Sequence, residues 1–499
     1  MNDTVTPGSL ADLQARYGDR FRWRFLYTLM VGTVAAIMSS TIINVAVPDM
    51  SHHFALSPSQ AQWLSSSFML AMTLSMLTTP WLLGRYGYRR TYTAALGMLM
   101  LGGVVGGLSS SLDLVLAMRV LEGLAAGVTM PIPALIIMRA FESHEQAKAT
   151  SVFGVGVVLA PAIGPSVGGL LVDLWGWRAI FFMVVPFCLA AMAAARRYVP
   201  VTAPVGKAAA KAQRLDVVGL ALAAVFTVCL LNGAVGLRVM PLLDALALLG
   251  AAAVALALFV LWQRRLMARA EQASAAPLVH LDIFRNRSFQ LGSGVTLIYG
   301  ISLYGSTYLM PVYMQAALGM SPSLVGVVML PAGLMLSFTM GVVGRLSRRF
   351  APAHMLQVGL VGLLLAFNAM WLMHWTQAIA LLVALAVCNR IALGFTMPNM
   401  QVTALGDLDK GLMAYASSSV NFLRMLGGAV GIGLVGVLLD WRLAALGEHA
   451  SAAERMSAYH QVFSLLGLLC GVAWWLARGF PVRLRAQAPQ TVQASPSER

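Results

Sequence analysis

Charge is scarce in this sequence, and acidic charge is scarcest. Of 499 residues only 11% are Asp, Glu, Lys or Arg, with 19 acidic against 34 basic. Soluble domains carry roughly 25% charged residues, so a soluble multidomain enzyme is excluded. A disordered chain is excluded too, because 59% of the residues are hydrophobic. Cysteine is nearly absent: Cys188, Cys229, Cys388 and Cys470 all lie in apolar stretches, which gives neither a disulfide framework nor metal-ligand spacing. No CxxC, HExxH or P-loop pattern occurs, so no cofactor, no metal and no ATP-driven chemistry is expected. Gly164-Pro-Ser166-Val-Gly168 spells a nucleophile elbow, but it lies in an apolar run, without the strand-to-helix turn that elbow needs. An enzyme is not expected.

What is present is apolar length. A helix crossing about 30 Å of hydrocarbon needs roughly 20 mostly apolar residues. Spans are expected near 24–48, 61–83, 91–111, 113–138, 148–172 and 178–196, then 216–237 and 242–263. A last set is expected near 289–315, 321–344, 354–373, 377–402, 411–440 and 458–478. The spans lack period-2 alternation, so they are helices rather than barrel strands. Charged residues such as Asp12, Arg16, Asp19 and Arg20 fill the segment before the first span, so no cleavable signal peptide is expected.

The net charge of +15 follows the loops. One side collects Arg16, Arg20, Arg22 and Arg24, then Arg85, Arg89 and Arg90, then Arg196 and Arg197, Arg264 and Arg265, and Arg345, Arg348 and Arg349. The loops of the other side hold only Arg178, Arg238, Arg442 and Arg455. That bias marks membrane orientation and not nucleic-acid binding, and it places both termini in the cytoplasm of a multi-pass protein of the inner (plasma) membrane.

The chain also repeats. After a cytoplasmic segment 1–23, six spans (24–196) end in a basic linker 197–215. An inserted helix pair (216–263) and a cytoplasmic loop (264–288) lead into six further spans (289–478) and a tail 479–499. Two six-helix bundles with two inserted helices make an all-α transporter architecture, with the substrate path between the halves.

Several pieces in order resemble the fourteen-span drug:proton antiporters of the major facilitator superfamily (EmrB/QacA type). These are Thr41-Ile-Ile-Asn44-Val-Ala-Val-Pro48, Trp63-Leu-Ser-Ser-Ser-Phe68, Leu82-Leu-Gly-Arg85-Tyr-Gly87-Tyr-Arg89-Arg90 and Arg119-Val-Leu-Glu122-Gly123. Ala160-Pro161-Ala-Ile-Gly164-Pro165-Ser-Val-Gly168-Gly169, Trp175-Gly-Trp-Arg178, Pro311-Val-Tyr-Met-Gln315 and Asn421-Phe-Leu-Arg424 extend the likeness. The resemblance implies the major facilitator fold and proton-coupled multidrug efflux by alternating access. It also implies lipophilic substrates, and it leaves open whether a periplasmic adaptor and an outer-membrane channel attach as partners. It assigns Arg85, Gly87, Arg89 and Arg90 to a gating loop and the Ala160–Gly169 run, with Pro161, Gly164, Pro165, Gly168 and Gly169, to an antiporter motif. The chain departs from the pattern where an Asp is usual at position 39 and is Ser, where an Asp is usual at 84 and is Gly, and where a Gln is usual at 122 and is Glu.

Glu122 is the one acid deep inside a span, about 13 Å in when counted from Asp113 at 1.5 Å per residue. Arg119 lies three residues earlier on the same face. Because intramembrane charges are rarely idle, Glu122 is a candidate proton carrier; a permanent Arg119–Glu122 pair and a substrate contact remain open alternatives. Arg390 and Arg424 also fall mid-span with no acid inside a span of the second half. They either favour weakly acidic or anionic lipophilic substrates or bond to carbonyls, Asn389 and Asn421 at helix contacts. Gly156, Ala160, Gly164 and Gly168, with Pro161 and Pro165 one step round, make a small-residue stripe for close helix approach, a hinge or seal between the halves or plain packing. Asn44 and the trio Tyr304, Tyr308 and Gln315 are candidate cavity residues. The expected activity is proton-coupled efflux; a dedicated exporter, an uncoupled facilitator of one metabolite and a non-transporting sensor or scaffold are the alternatives.

Overall fold

The computed structural model describes residues 10–18, 20–56, 58–201, 214–268, 275–320, 322–347, 349–374, 378–406, 408–409, 411–446 and 451–480. Apolar runs that cannot leave backbone polar groups bare in hydrocarbon form helices. A short helix α1 (Leu10–Tyr17) precedes α2 (Phe21–Phe54). Helix α3 (Pro58–Ser75) continues through a 3-10 turn at Met76–Thr78 into α4 (Thr79–Leu108). The apolar stretch Trp63–Leu108 is 46 residues long, enough for two crossings. It turns at Gly87, whose φ of 75° and ψ of 176° suit a residue without Cβ. The expected gating loop is therefore a corner between two helices.

Helix α5 (Leu112–Thr129) is followed by α6 (Ile132–Ala140), so the expected single span 113–138 is present as one apolar stretch, Leu112–Ala140, with an interruption of the helix inside it. Pro131 and Pro133 lack the amide donors an unbroken helix would use there. Helix α7 (Ser143–Trp175) is continuous over 33 residues. Helices α8 (Ala179–Phe182) and α9 (Val184–Tyr198) complete the first half.

The inserted pair is α10 (Val217–Val239) and α11 (Leu242–Ala268). Its basic end is latched by buried Asp216, whose carboxylate accepts from Gly219 N (2.8 Å), Trp262 Nε1 (2.8 Å) and Gln263 Nε2 (2.6 Å). Gln263 Oε1 in turn accepts from Leu278 N at 3.0 Å. Two short strands, Arg214–Leu215 and Ala275–Ala276, pair in parallel beside this latch. They stand outside the spans, in segments the sequence presents as plain linkers. Helix α10 packs through Phe226 on Leu426, which ties the pair to the second half.

That half begins with α12 (Arg287–Val312), which passes into a π-helical turn Tyr313–Ala317 beyond Pro311. It continues with α13 (Pro322–Leu346), α14 (Pro352–Asn368), α15 (Ile379–Leu405), α16 (Met413–Leu446) and α17 (Ala452–Ala477). Eleven helices of the described residues are long and apolar enough to cross a membrane. With the corner at Gly87 and the lengths of α7 and α12, the arrangement accommodates the fourteen expected spans.

The halves touch toward the side of the Arg-rich turns, called the basic side below. Ser417 Oγ donates to Pro131 O at 2.7 Å, Gly154 lies against Met340, and Gly344 lies against Ser151. One core runs across this side through Tyr88, Leu135, Leu405, Met413 and Val420. Inside the second half, α12 and α16 approach so closely that a Cβ at Gly427 would strike the Leu297 carbonyl and one at Gly300 would strike the Arg424 carbonyl. Gly427→Ala is therefore expected to lower stability by about 1–3 kcal/mol, the usual cost of overpacking. Thermal unfolding in detergent measures it, and an unchanged midpoint would contradict this contact.

Candidate functional site

In the first half, α5 carries Arg119 and Glu122 to one spot, both only 1% exposed. Arg119 Nη1 donates to Glu122 Oε2 at 2.6 Å and to Ser39 Oγ of α2 at 3.1 Å. Its Nε donates to Leu64 O of α3 at 3.0 Å, and its guanidinium sits 4.4 Å over the Phe68 ring. The guanidinium thus has holders besides the carboxylate. Glu122 packs against α4, where a Cβ at Gly102 would strike its Cγ and one at Gly103 would lie 3.6 Å from Oε1. Glu122 Oε1 and Arg119 Nη2 have no hydrogen bond among the described residues. Chemically, this is an ion pair with a spare acceptor on one partner and alternative acceptors for the other.

In the second half, α15 brings Arg390 and α16 brings Arg424 toward α12. Arg390 Nη1 and Nη2 donate to Thr307 Oγ1 at 3.4 and 3.3 Å. Arg424 Nη2 donates to Asn421 Oδ1 at 2.9 Å, while its buried Nε has no partner among the described residues. Arg424 lies against α12, where a Cβ at Gly300 would strike its carbonyl, and Gly428, one turn further along α16, lies against the Tyr304 ring. The expected bond to Asn421 is present. Arg390 bonds to Thr307 in place of Asn389.

Other expected site residues are dispersed. Tyr304 donates to Met425 Sδ at 3.5 Å and packs on the core that runs between the halves, whereas Tyr308 packs on the core of the second half that includes Tyr459 of α17. Arg85 lies over Trp81 and Tyr86, Arg89 Nε donates to Val199 O at 2.8 Å, and Arg90 is exposed. The Arg89 bond pins the corner to the end of α9 inside its own half.

The small-residue stripe of α7 faces α2: Gly156 lies against Met30, Gly164 against Thr41, Gly168 against Ile42 and Gly169 near Val45. It packs within the first half, not between halves as a seal would. The face of α7 that meets α13 carries Ser151 and Gly154 instead. Helical phase explains the correction, since positions 151 and 154 leave the helix roughly 140–160° round from their near neighbour 156. The side chains of Asn44, Pro161, Pro165 and Gln315 lie outside the described residues.

Ser39 and Thr307 belong to these clusters, yet sequence reasoning did not single them out as partners. Position 39, where the resemblance expects an Asp, is the signal that could have found Ser39; Thr307 is one of many hydroxyls in apolar spans and carries no such signal.

A profile of the Major Facilitator Superfamily matches residues 29–432. The chain is 28% identical over 429 residues to multidrug resistance protein Stp of Mycobacterium tuberculosis, covering 85% of this chain and 77% of that protein. It is 26% identical over 480 residues to the methylenomycin A resistance protein of Streptomyces coelicolor, covering 93% and 94%. Among solved structures, the proton:xylose symporter XylE aligns with a TM-score of 0.63 at 13% identity, covering 92% of this chain and 96% of that one. At that identity the likeness shows the fold alone.

Proposed function

We propose, because the chain belongs to the Major Facilitator Superfamily of membrane transporters, that it exports small lipophilic compounds by alternating access in exchange for protons. It is a multi-pass membrane transporter, and relatives that resemble it along most of its length are named for multidrug and methylenomycin resistance. The proposed setting is the inner membrane, with fourteen spans and both termini in the cytoplasm, on the basic side. The two six-helix bundles, 24–196 and 289–478, rock about a path between them, and the Ser417–Pro131 contact belongs to a seal on the cytoplasmic side. A periplasmic adaptor and an outer-membrane channel are the proposed partners of the opposite face.

The observation that carries proton coupling is the Arg119–Glu122 pair with its spare atoms. When Glu122 takes a proton, its hold on Arg119 weakens. Arg119 still has the Ser39 hydroxyl, the Leu64 carbonyl and the Phe68 face, so the charge is not stranded. That makes protonation tolerable inside the membrane, where an unpaired charge is costly.

The 1% exposure of Glu122 favours a second reading, in which the pair never opens and the protein is an uncoupled facilitator. Everted membrane vesicles containing the full chain separate the two. Energised by respiration, they are expected to accumulate lipophilic dyes and to release them on addition of a protonophore. Accumulation that ignores the proton gradient would establish the facilitator, and no accumulation across a diverse panel would remove the transporter reading.

A further inference from the structure

The two halves repeat one site, and only the first half fills it with an acid. Arg119-Val-Leu-Glu122-Gly123 in α5 corresponds to Arg390-Ile-Ala-Leu393-Gly394 in α15. The packing agrees. A Cβ at Gly123 would strike Phe68 and Ala71 of α3, the second span of its half, and one at Gly394 would strike Thr339 of α13, the second span of the other. Arg119 donates to a hydroxyl on α2, and Arg390 donates to a hydroxyl on α12, each the first span of its half. The difference is Leu393, which stands where Glu122 would be. Between Asp282 and Asp407 the sequence contains no Asp or Glu at all.

The second-half site is therefore a cation without its carboxylate. A guanidinium carries five N–H donors, and among the described residues those of Arg390 meet one hydroxyl at 3.3 and 3.4 Å. Arg424 adds a second buried guanidinium, whose Nε is unbonded among the described residues. Buried charges are normally paired, so the missing partner is expected from outside the chain. Thr307 is exposed, so the cluster is reachable.

We propose that Arg390, Arg424 and the Thr307 hydroxyl bind the carboxylate head of a lipophilic monoacid, which supplies here the group that Glu122 supplies in the first half. The substrate class deepens the transporter reading above and rests on it. Arginine suits this task because its planar fork matches a carboxylate with two parallel bonds. Tyr304 and Met425, which touch each other beside Arg424, offer the apolar body a wall.

The test uses the full chain in liposomes of zwitterionic phosphatidylcholine, so that no lipid headgroup provides the anion. The probes are 1-naphthylacetate, the neutral 1-naphthylacetamide and the cationic 1-naphthylethylammonium. The wild type is expected to bind the acetate at least tenfold more tightly than either other probe. Arg390→Gln and Arg424→Gln are each expected to erase that preference, and Arg390→Lys to keep part of it. Leu393→Glu restores the acid of the repeat and is expected to abolish acetate binding while the protein unfolds at an unchanged or higher temperature. Equal binding of the three probes, preference for the ammonium, or an acetate preference that survives Leu393→Glu would overturn the proposal. The dye-vesicle assay reads transport independently, so loss of acid preference with dye export intact rejects only the substrate class.

Discussion

Glu122→Gln is expected to abolish proton-driven accumulation in everted vesicles while leaving downhill substrate exchange in place. The substitution keeps shape and removes the one carboxylate buried deep in the first half among the described residues. It also leaves Arg119 buried against Ser39, Leu64 and Phe68 with no counter-charge. Breaking a buried pair by removing one partner typically costs about 3–5 kcal/mol, and the Ser39, Leu64 and Phe68 contacts offset part of that, so the remaining loss of stability must be separated from loss of coupling. The double variant Arg119→Gln/Glu122→Gln makes that separation, because it removes both charges and the uncompensated burial with them. If the pair only neutralises itself, the double variant recovers stability and coupled transport together. If Glu122 carries the proton, stability returns and coupling does not. Substrate-induced proton flux in liposomes is the measurement, and full flux in the double variant would end the proton-carrier assignment.

Much of the fold was legible because membrane constraints act on composition. Arg-rich turns, apolar length and the repeat of two halves are one-dimensional signals, and the helices follow them from Phe21 to Ala477. Two features were not legible. The strand pair Arg214–Leu215 with Ala275–Ala276 joins segments separated by the whole inserted helix pair, and nothing in either dipeptide announces its partner. The direction of the α7 stripe was also hidden. Four-residue spacing fixes that Gly156, Gly164 and Gly168 share a face, but whether that face meets α2 or the other half depends on how α7 is rotated in the bundle.

The site divides in the same way. Arg119 and Glu122 lie on one helix, so their meeting was written in an i, i+3 spacing. The bond from Arg390 to Thr307 joins residues 83 apart, and hydroxyls are too common in apolar spans for sequence to select that one. Only with both halves folded does the likeness of Ser39 and Thr307 become visible, each accepting from an arginine of the fourth span of its half.

A carboxylate moved from helix α5 to helix α2 is expected to restore what Glu122→Gln removes. Ser39 stands where the resembling family usually carries Asp, and its Oγ is 3.1 Å from the Arg119 nitrogen that also holds Glu122. Ser39→Asp in the Glu122→Gln background would therefore place an acid against the same guanidinium nitrogen, carried by α2 instead of α5. Stability should recover, because the guanidinium regains a counter-charge, and coupled transport should return to within about tenfold of wild type, a residual deficit of about 1.4 kcal/mol. The two variants differ in which helix bears the titrating group. If coupling needs only an acid in contact with Arg119, either helix serves. If it needs the acid on α5 itself, where Gly102 and Gly103 of α4 pack against it, the rescued protein will be stable and still uncoupled. Stoichiometry decides a further point: moving one charge against 100 mV costs about 2.3 kcal/mol, so Ser39→Asp alone, with two acids beside one arginine, should change the number of protons exchanged per substrate and not merely the rate. An unchanged proton-to-substrate ratio in that single variant would mean that the guanidinium, not the count of acids around it, sets how many protons cross.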